Sequence, residues 1–82
     1  MVVKKIHIQY YALLREERGL TEEIVETSSS TVKDLYQELK SKFNFRLSVD
    51  ILKVAVNNEF ASWETQLKNN DQVVFIPPVA GG

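Results

Sequence analysis

The stretch TVKDLYQELKSKF, residues 31–43, decides the fold class because it predicts one long amphipathic helix. Apolar residues recur in it at spacings of three and four, which is typical of a helix with one buried face. Thr31 is a suitable N-cap, and Asp34 follows it in an arrangement close to a capping box. We expect the helix to end near Asn44. The predicted buried stripe consists of Val32, Leu35, Tyr36, Leu39 and Phe43.

Five segments around this helix predict β-strands. Residues 3–11 alternate between apolar and polar side chains, which indicates a strand with one buried face. Residues 12–18, between the first two strands, predict a short helix that ends at Gly19 in a left-handed conformation. The strands are expected at residues 3–11, 21–27, 53–56, 59–61 and 72–76, with turns at residues 57–58 and 68–71.

One helix that covers one face of a mixed sheet gives a two-layer α+β domain. The main elements follow the order β-β-α-β-β-β, without repeats or low-complexity segments. This order is compatible with first and last strands that lie side by side in the middle of the sheet. We expect this domain to span residues 1–76 and a flexible, extended C-terminal tail to span residues 77–82.

Composition excludes several classes of protein. The chain has 82 residues, which is enough for one small core, and a net charge of -1 with its basic residues scattered. Binding to nucleic acid would instead favour a basic face. The apolar runs are too short to cross a bilayer, and the first residues lack the apolar stretch of a signal peptide. A cytoplasmic location is therefore expected, with neither a membrane nor a nucleic acid as partner.

The residues that usually carry catalysis are scarce. The chain contains no cysteine, so it has neither a disulfide nor a thiolate nucleophile. His7 is the only histidine, and no metal-ligand spacing or catalytic triad surrounds it. With three glycines in all, the sequence has no phosphate-binding loop and predicts no bound cofactor. The chain is a poor candidate for an enzyme that acts alone.

The last predicted strand is apolar on both faces. Residues 73–76 read VVFI, and only one face of this strand can meet the helix. Tyr11 and Phe60 are expected to add apolar bulk to the other face. Two interpretations are open: a surface that binds a partner, or a central strand whose outer side chains are shielded by their neighbours.

The sequence ends in PPVAGG, residues 77–82. Pro77 and Pro78 end the strand, because proline cannot donate to a β-ladder, and they favour an extended base for the tail. Val79 offers one apolar anchor. Gly81 and Gly82 lack a Cβ, so the tip is thin enough to enter a narrow site on another protein. A loose chain end without a function is the alternative interpretation.

The sequence resembles the small subunits of molybdopterin synthase, which are ubiquitin-like β-grasp sulfur carriers. The resemblance extends over essentially the whole chain, and the ending P-P-V-x-G-G is its most specific element. It departs from the family at Asn70, where glycine is common, which affects only a turn. The residues that carry it are YYA at 10–12 with Arg15, Glu16 and Gly19, TV at 31–32 with Leu35, VAVN at 54–57, DQV at 71–73 and FIPPVAGG at 75–82.

The resemblance implies a mechanism at the C-terminus. An adenylating enzyme would use ATP to activate the Gly82 carboxylate, and a sulfur donor would convert it to a thiocarboxylate. The tail, including Ala80 and Gly81, would then enter the large synthase subunit and deliver sulfur to cyclic pyranopterin monophosphate. The assembly would be a heterotetramer with two copies of each subunit. The implied interface consists of Tyr11, Phe60, Ile76, Pro77, Pro78 and Val79.

Other interpretations share the terminal Gly-Gly. A ubiquitin-like modifier would join Gly82 to lysines of target proteins. A sulfur carrier for thiamine or cysteine synthesis would also use Gly82, although those families usually lack P-P-V before it. A plain interaction domain would not need its terminus.

Overall fold

The computed structural model describes residues 2–78 and contains a five-stranded mixed sheet covered on one face by helices. The strands are β1 (Lys4–Tyr10), β2 (Glu22–Thr27), β3 (Lys53–Val56), β4 (Glu59–Ala61) and β5 (Gln72–Ile76). The helices are α1 (Ala12–Arg18) and α2 (Val32–Phe43), with one 3-10 turn at Val49–Ile51. Every predicted strand and helix is confirmed; the 3-10 turn was not predicted.

The first and last strands are neighbours at the centre of the sheet. The strand order is β2-β1-β5-β3-β4, with β1 parallel to β5 and the other pairs antiparallel. Ile8 lies opposite Val73, and Tyr10 lies opposite Phe75. Together with the long helix between β2 and β3, this order defines the β-grasp fold.

The helix α2 begins and ends where the sequence predicts. The Thr31 hydroxyl accepts a hydrogen bond from the Asp34 backbone N–H at 3.1 Å, which is the N-cap bond. At the other end, Asn44 adopts a left-handed conformation with φ 57°. This reversal directs Phe45 back into the core, where it is 2% exposed, whereas Phe43 is only partly buried. The predicted stripe is therefore confirmed at four positions, and Phe45 takes the place expected for Phe43.

Aromatic rings fill the space between α2 and the sheet. The Tyr36 and Phe75 rings meet edge to face, with centroids 5.0 Å apart. Trp63 stacks on Phe75 with centroids 6.1 Å apart, so this tryptophan anchors the loop before β5. The buried core consists of Ile6, Ile8, Tyr10, Leu14, Val32, Leu35, Tyr36, Leu39, Phe45, Leu52, Val54, Leu67, Val73 and Phe75.

Asparagine side chains and left-handed backbones shape the two predicted turns. Asn57 and Asn58, between β3 and β4, have φ values of 53° and 71°. The Asn57 amide oxygen accepts from the Gln72 backbone N–H at 2.9 Å, which ties this turn to the start of β5. Asn70 has φ 71°, and the buried Asp71 carboxylate accepts from the Lys68 backbone N–H at 2.7 Å. The turns therefore hold β5 in place between β1 and β3.

Candidate partner-docking surface

The sheet face opposite α2 carries no covering element among residues 2–78. Its side chains come from alternate positions of each strand, because successive strand residues point to opposite faces. Val73 and Phe75 of β5 face the helix and are fully buried, whereas Val74 and Ile76 lie on the open face and are half-buried. The prediction of a strand that is apolar on both sides is confirmed.

Strand register gathers apolar side chains at one end of this open face. Ala55 of β3 lies between Val74 of β5 and Phe60 of β4. Tyr10 of β1 lies opposite Phe75 of β5. Tyr11, which follows β1, and Ile76, the last residue of β5, therefore occupy neighbouring positions one residue further along. We call this surface the tail-base patch, because Pro77 continues directly from it. It consists of Tyr11, Ala55, Phe60, Val74 and Ile76.

Both interpretations of the open face apply, each to a different part of it. Val74 and Ile76 are partly shielded by their neighbours. Phe60 is 76% exposed and Tyr11 is 43% exposed, so water reaches two aromatic rings on either side of β5. Large apolar side chains that cluster at the surface mark a site for a partner.

The predicted interface residues divide into two groups. Tyr11, Phe60 and Ile76 lie together on the patch, with half-buried Pro77 and exposed Pro78 at its edge. The remaining predicted site residues lie outside the described residues: Val79, Ala80, Gly81 and Gly82.

Lys53 borders the tail-base patch, and the sequence analysis did not identify it. It pairs with Ile76 across β3 and β5, and its ammonium nitrogen lies 6.0 Å from the centre of the Phe60 ring. The alternation of residues along β3 could have predicted this position. Lys53 and Ala55 share the open face, whereas Val54 between them is buried in the core.

The other half of the open face is polar. Lys5 lies opposite Glu26, His7 opposite Ile24, and Gln9 opposite Glu22. A shallow groove of about 380 Å³ crosses this half, and His7 and Gln72 line it. In residues 2–78 no group of three or more histidine, cysteine, aspartate or glutamate side chains is placed to hold a metal ion. Over the same range no helix is long and apolar enough to cross a membrane.

A polar cluster fixes the short helix α1 to the sheet. Arg18 donates two hydrogen bonds of 2.8 Å to the Glu23 carboxylate, and the buried Tyr10 hydroxyl donates a third at 2.6 Å. The Arg18 guanidinium lowers the pKa of the Glu23 carboxyl, and burial raises the pKa of Tyr10. Arg18 also lies 4.0 Å above the Phe43 ring. The cluster therefore joins β1, α1, β2 and α2 next to the patch.

The backbone at the first residue of α1 is strained. Ala12 has φ 51°, in the left-handed region that disfavours a residue with a Cβ. Tyr11 precedes it, and the Tyr11 carbonyl accepts from the Leu14 backbone N–H at 3.1 Å. The strained residue thus directs the chain from β1 into α1 at the position where Tyr11 faces solvent.

Solved structures of other small proteins share this architecture. The small archaeal modifier protein 1 of Haloferax volcanii matches with a TM-score of 0.77 and 21% identity over 93% of this chain and 99% of that one. A chain in the complex of subunits 1 and 2 of the molybdopterin-converting factor of Helicobacter pylori matches with a TM-score of 0.63 and 22% identity, over 95% of this chain and 99% of that one. By its fold the chain is a ubiquitin-like β-grasp protein.

Sequence comparison narrows this class to one family. The ThiS family profile matches residues 8–82. A molybdopterin synthase sulfur carrier subunit from Mycobacterium tuberculosis is 33% identical over 81 residues, which cover 95% of this chain and 98% of that protein. The chain belongs to the ThiS family.

Proposed function

We propose that this chain is the sulfur carrier subunit of a molybdopterin synthase and that the Gly82 carboxylate carries the sulfur. The observation that carries the proposal is the match, over nearly its whole length, to the mycobacterial subunit of that name. The tail-base patch supports it, since the patch adjoins Pro77 and so lies at the start of the segment that would enter a partner. A sulfur donor of this kind supplies a reactant rather than catalytic side chains.

The proposed chemistry takes place at the chain terminus. A carboxylate is a poor electrophile, because its charge repels nucleophiles and its oxide is a poor leaving group. A partner enzyme would use ATP to convert the Gly82 carboxylate into an acyl adenylate and release pyrophosphate. Attack by a sulfide-level donor would then release AMP and leave a thiocarboxylate. The chain has no cysteine, so this terminus is the place where it can hold sulfur covalently.

The proposed partner for sulfur delivery is the large subunit of the synthase, in a heterotetramer with two copies of each subunit. The Helicobacter relative is known in complex with a second subunit of its converting factor, which supports a partner of this class. The thiocarboxylate sulfur would attack cyclic pyranopterin monophosphate. Two carriers, used in succession, would supply the sulfurs of the dithiolene.

The test combines intact mass with product formation. The full chain, incubated with ATP, an adenylating enzyme and sulfide, is expected to gain the mass of one sulfur in place of one oxygen. A variant that lacks Gly82 should gain nothing, yet keep the unfolding midpoint of the parent. Molybdopterin formation by purified large subunit should require the thiocarboxylated parent. Product formation with the variant lacking Gly82 would show that the terminus is not the sulfur donor.

The same assay distinguishes a sulfur carrier from a ubiquitin-like protein modifier. A lysine amine that attacks the acyl adenylate would give an isopeptide-linked adduct with the mass of a second protein, instead of a thiocarboxylate. Such adducts without any molybdopterin formation would replace the proposed function with protein modification.

A further inference from the structure

We propose that Lys53 determines which partner the tail-base patch accepts, and that the large subunit presents a carboxylate to the Lys53 ammonium. This inference rests on the proposed function, because it concerns the protein that receives the tail. It goes further by assigning a charge requirement to an otherwise apolar surface.

The position of Lys53 places a cation directly at the edge of the tail-base patch. Lys53 lies opposite Ile76, the last residue of β5, and the tail begins at the next residue. Its neighbour Val54 is 1% exposed and faces the core, so Lys53 points to the open face. The ammonium nitrogen is 6.0 Å from the centre of the Phe60 ring. A partner that follows the tail to its base therefore meets Ile76, Phe60 and this cation together.

Burial of Phe60 requires the ammonium to lose water. Phe60 is 76% exposed, the largest exposure among the large apolar side chains of residues 2–78, and is the natural anchor for a partner. A surface that covers this ring also covers the nearby ammonium. Removal of an unpaired charge from water is costly, and a carboxylate with good geometry offsets the cost.

No carboxylate of the described part of the chain fills this role already. The ion pairs there are Arg18 with Glu23 and Arg46 with Glu17, and neither includes Lys53. The inference assigns the compensating charge to the partner. An apolar surface without a carboxylate at this point would leave the ammonium unpaired, so Lys53 rejects such surfaces while favouring the matched one.

The experiment measures the affinity of Lys53 variants for the large subunit from the same organism by calorimetry at low and high salt. Lys53→Glu is expected to raise Kd roughly 30-fold or more, because two carboxylates would face each other. Lys53→Met should raise Kd roughly 10-fold at low salt, and the Kd of this variant should change less between low and high salt than the Kd of the parent. Lys53→Arg should stay close to the parent. Lys33→Glu is the matched control, since it makes the same charge change on the exposed face of α2.

The outcomes separate this inference from the proposed function. A parent chain that fails to bind the large subunit overturns both. A parent that binds, with Lys53→Glu no weaker than Lys33→Glu, overturns the inference alone, as does an unchanged salt dependence in Lys53→Met. The unfolding midpoint of each variant is measured in parallel and should match that of the parent, because Lys53 is exposed and makes no ion pair within residues 2–78.

Discussion

At the scale of single residues, Ala12 differs from every other described residue with positive φ. The others are Gly19 and four asparagines, which adopt the left-handed region at low cost. A residue with a Cβ costs about 1–2 kcal/mol there. The Ala12 side chain is exposed, so packing does not offset this strain at the alanine itself.

Ala12→Gly is therefore expected to stabilise the domain. Relief of strain outweighs the extra backbone entropy of glycine, and the free energy of unfolding should rise by roughly 0.5–1 kcal/mol. Ala55→Gly is the matched control, because it lies in β3 and should lower stability by at least ~0.5 kcal/mol. Urea unfolding of both variants gives the comparison. Equal destabilisation by the two changes would contradict a left-handed Ala12.

Phe60 provides the residue-scale test of the docking surface. We expect Phe60→Glu to leave the domain folded, since the ring is exposed, and to weaken the complex with the large subunit by about 2 kcal/mol or more. Ile24→Glu is the control, because Ile24 is 60% exposed on the same sheet face but lies in its polar half. Undiminished assembly of Phe60→Glu, measured by calorimetry, would remove Phe60 from the interface.

At the scale of elements, α1 depends on its contacts rather than on its own helical propensity. It has seven residues, which is too short for an isolated helix to be stable in water. The Leu14 side chain of this helix is buried in the core, and Gly19 ends the helix with φ 80°. Arg18 adds the link to Glu23 and Phe43, with its side chain 24% exposed.

Arg18→Lys should weaken this attachment. Lysine keeps the charge but loses the planar pair of hydrogen bonds to Glu23 and the stacking on Phe43, so stability should fall by about 1 kcal/mol. Arg15→Lys, in the same last turn but exposed, should change stability by less than ~0.5 kcal/mol. The midpoints of denaturant unfolding of the two variants give the comparison. Equal midpoints would show that the hydrogen bonds and stacking of Arg18 do not stabilise the domain.

Helices and strands with a clear period were predictable from sequence, whereas their contacts were not. The caps at Thr31 and Asn44 and the asparagine turns follow from local chemistry, because each concerns a few adjacent residues. Phe45 shows the limit, since its burial depends on where the chain travels after α2 ends. The 3-10 turn at Val49–Ile51 similarly has no periodic pattern.

The candidate surface was predictable in its apolar part only. Tyr11, Phe60 and Ile76 were identified as bulky apolar residues without a covering element and through the family resemblance. Lys53 was not, because its place beside Phe60 depends on the pairing of β3 with both β4 and β5. Strand pairing between distant segments cannot be determined from local periodicity.

At the scale of the whole molecule, two buried tyrosines make stability depend on alkaline pH. The Tyr36 hydroxyl donates to the Leu47 carbonyl at 2.7 Å, and burial raises the pKa of Tyr36 to about 12. Burial also raises the pKa of Tyr10. An unfolded tyrosine releases its proton near pH ~10. Since the folded state holds these protons more tightly, their contribution is complete below that pH and is lost as pH rises.

The free energy of unfolding should fall more steeply above pH ~10 in the parent than in Tyr36→Phe. Each such proton contributes a slope of about 1.4 kcal/mol per pH unit between the two pKa values. Tyr36→Phe also loses a hydrogen bond worth ~1 kcal/mol at neutral pH, so the slopes are compared rather than the absolute values. Urea unfolding at a series of pH values above ~10 gives the free energy of unfolding of both proteins. Equal slopes of this free energy against pH in the parent and in Tyr36→Phe would contradict the prediction.

The central place of β5 has a consequence for synthesis on the ribosome. A nascent chain that lacks residues 72–76 contains a β1–β2 pair and a β3–β4 pair with no strand to join them, and the positions of Val73 and Phe75 in the core stay empty. Folding must wait for this last strand, because contacts between the two chain ends close the largest loop. Since Pro77 follows β5 at once, a folded patch reports that translation has reached the tail. A partner that recognises the patch would thus reject chains that stop before the end of β5, but it would accept chains that stop within the tail.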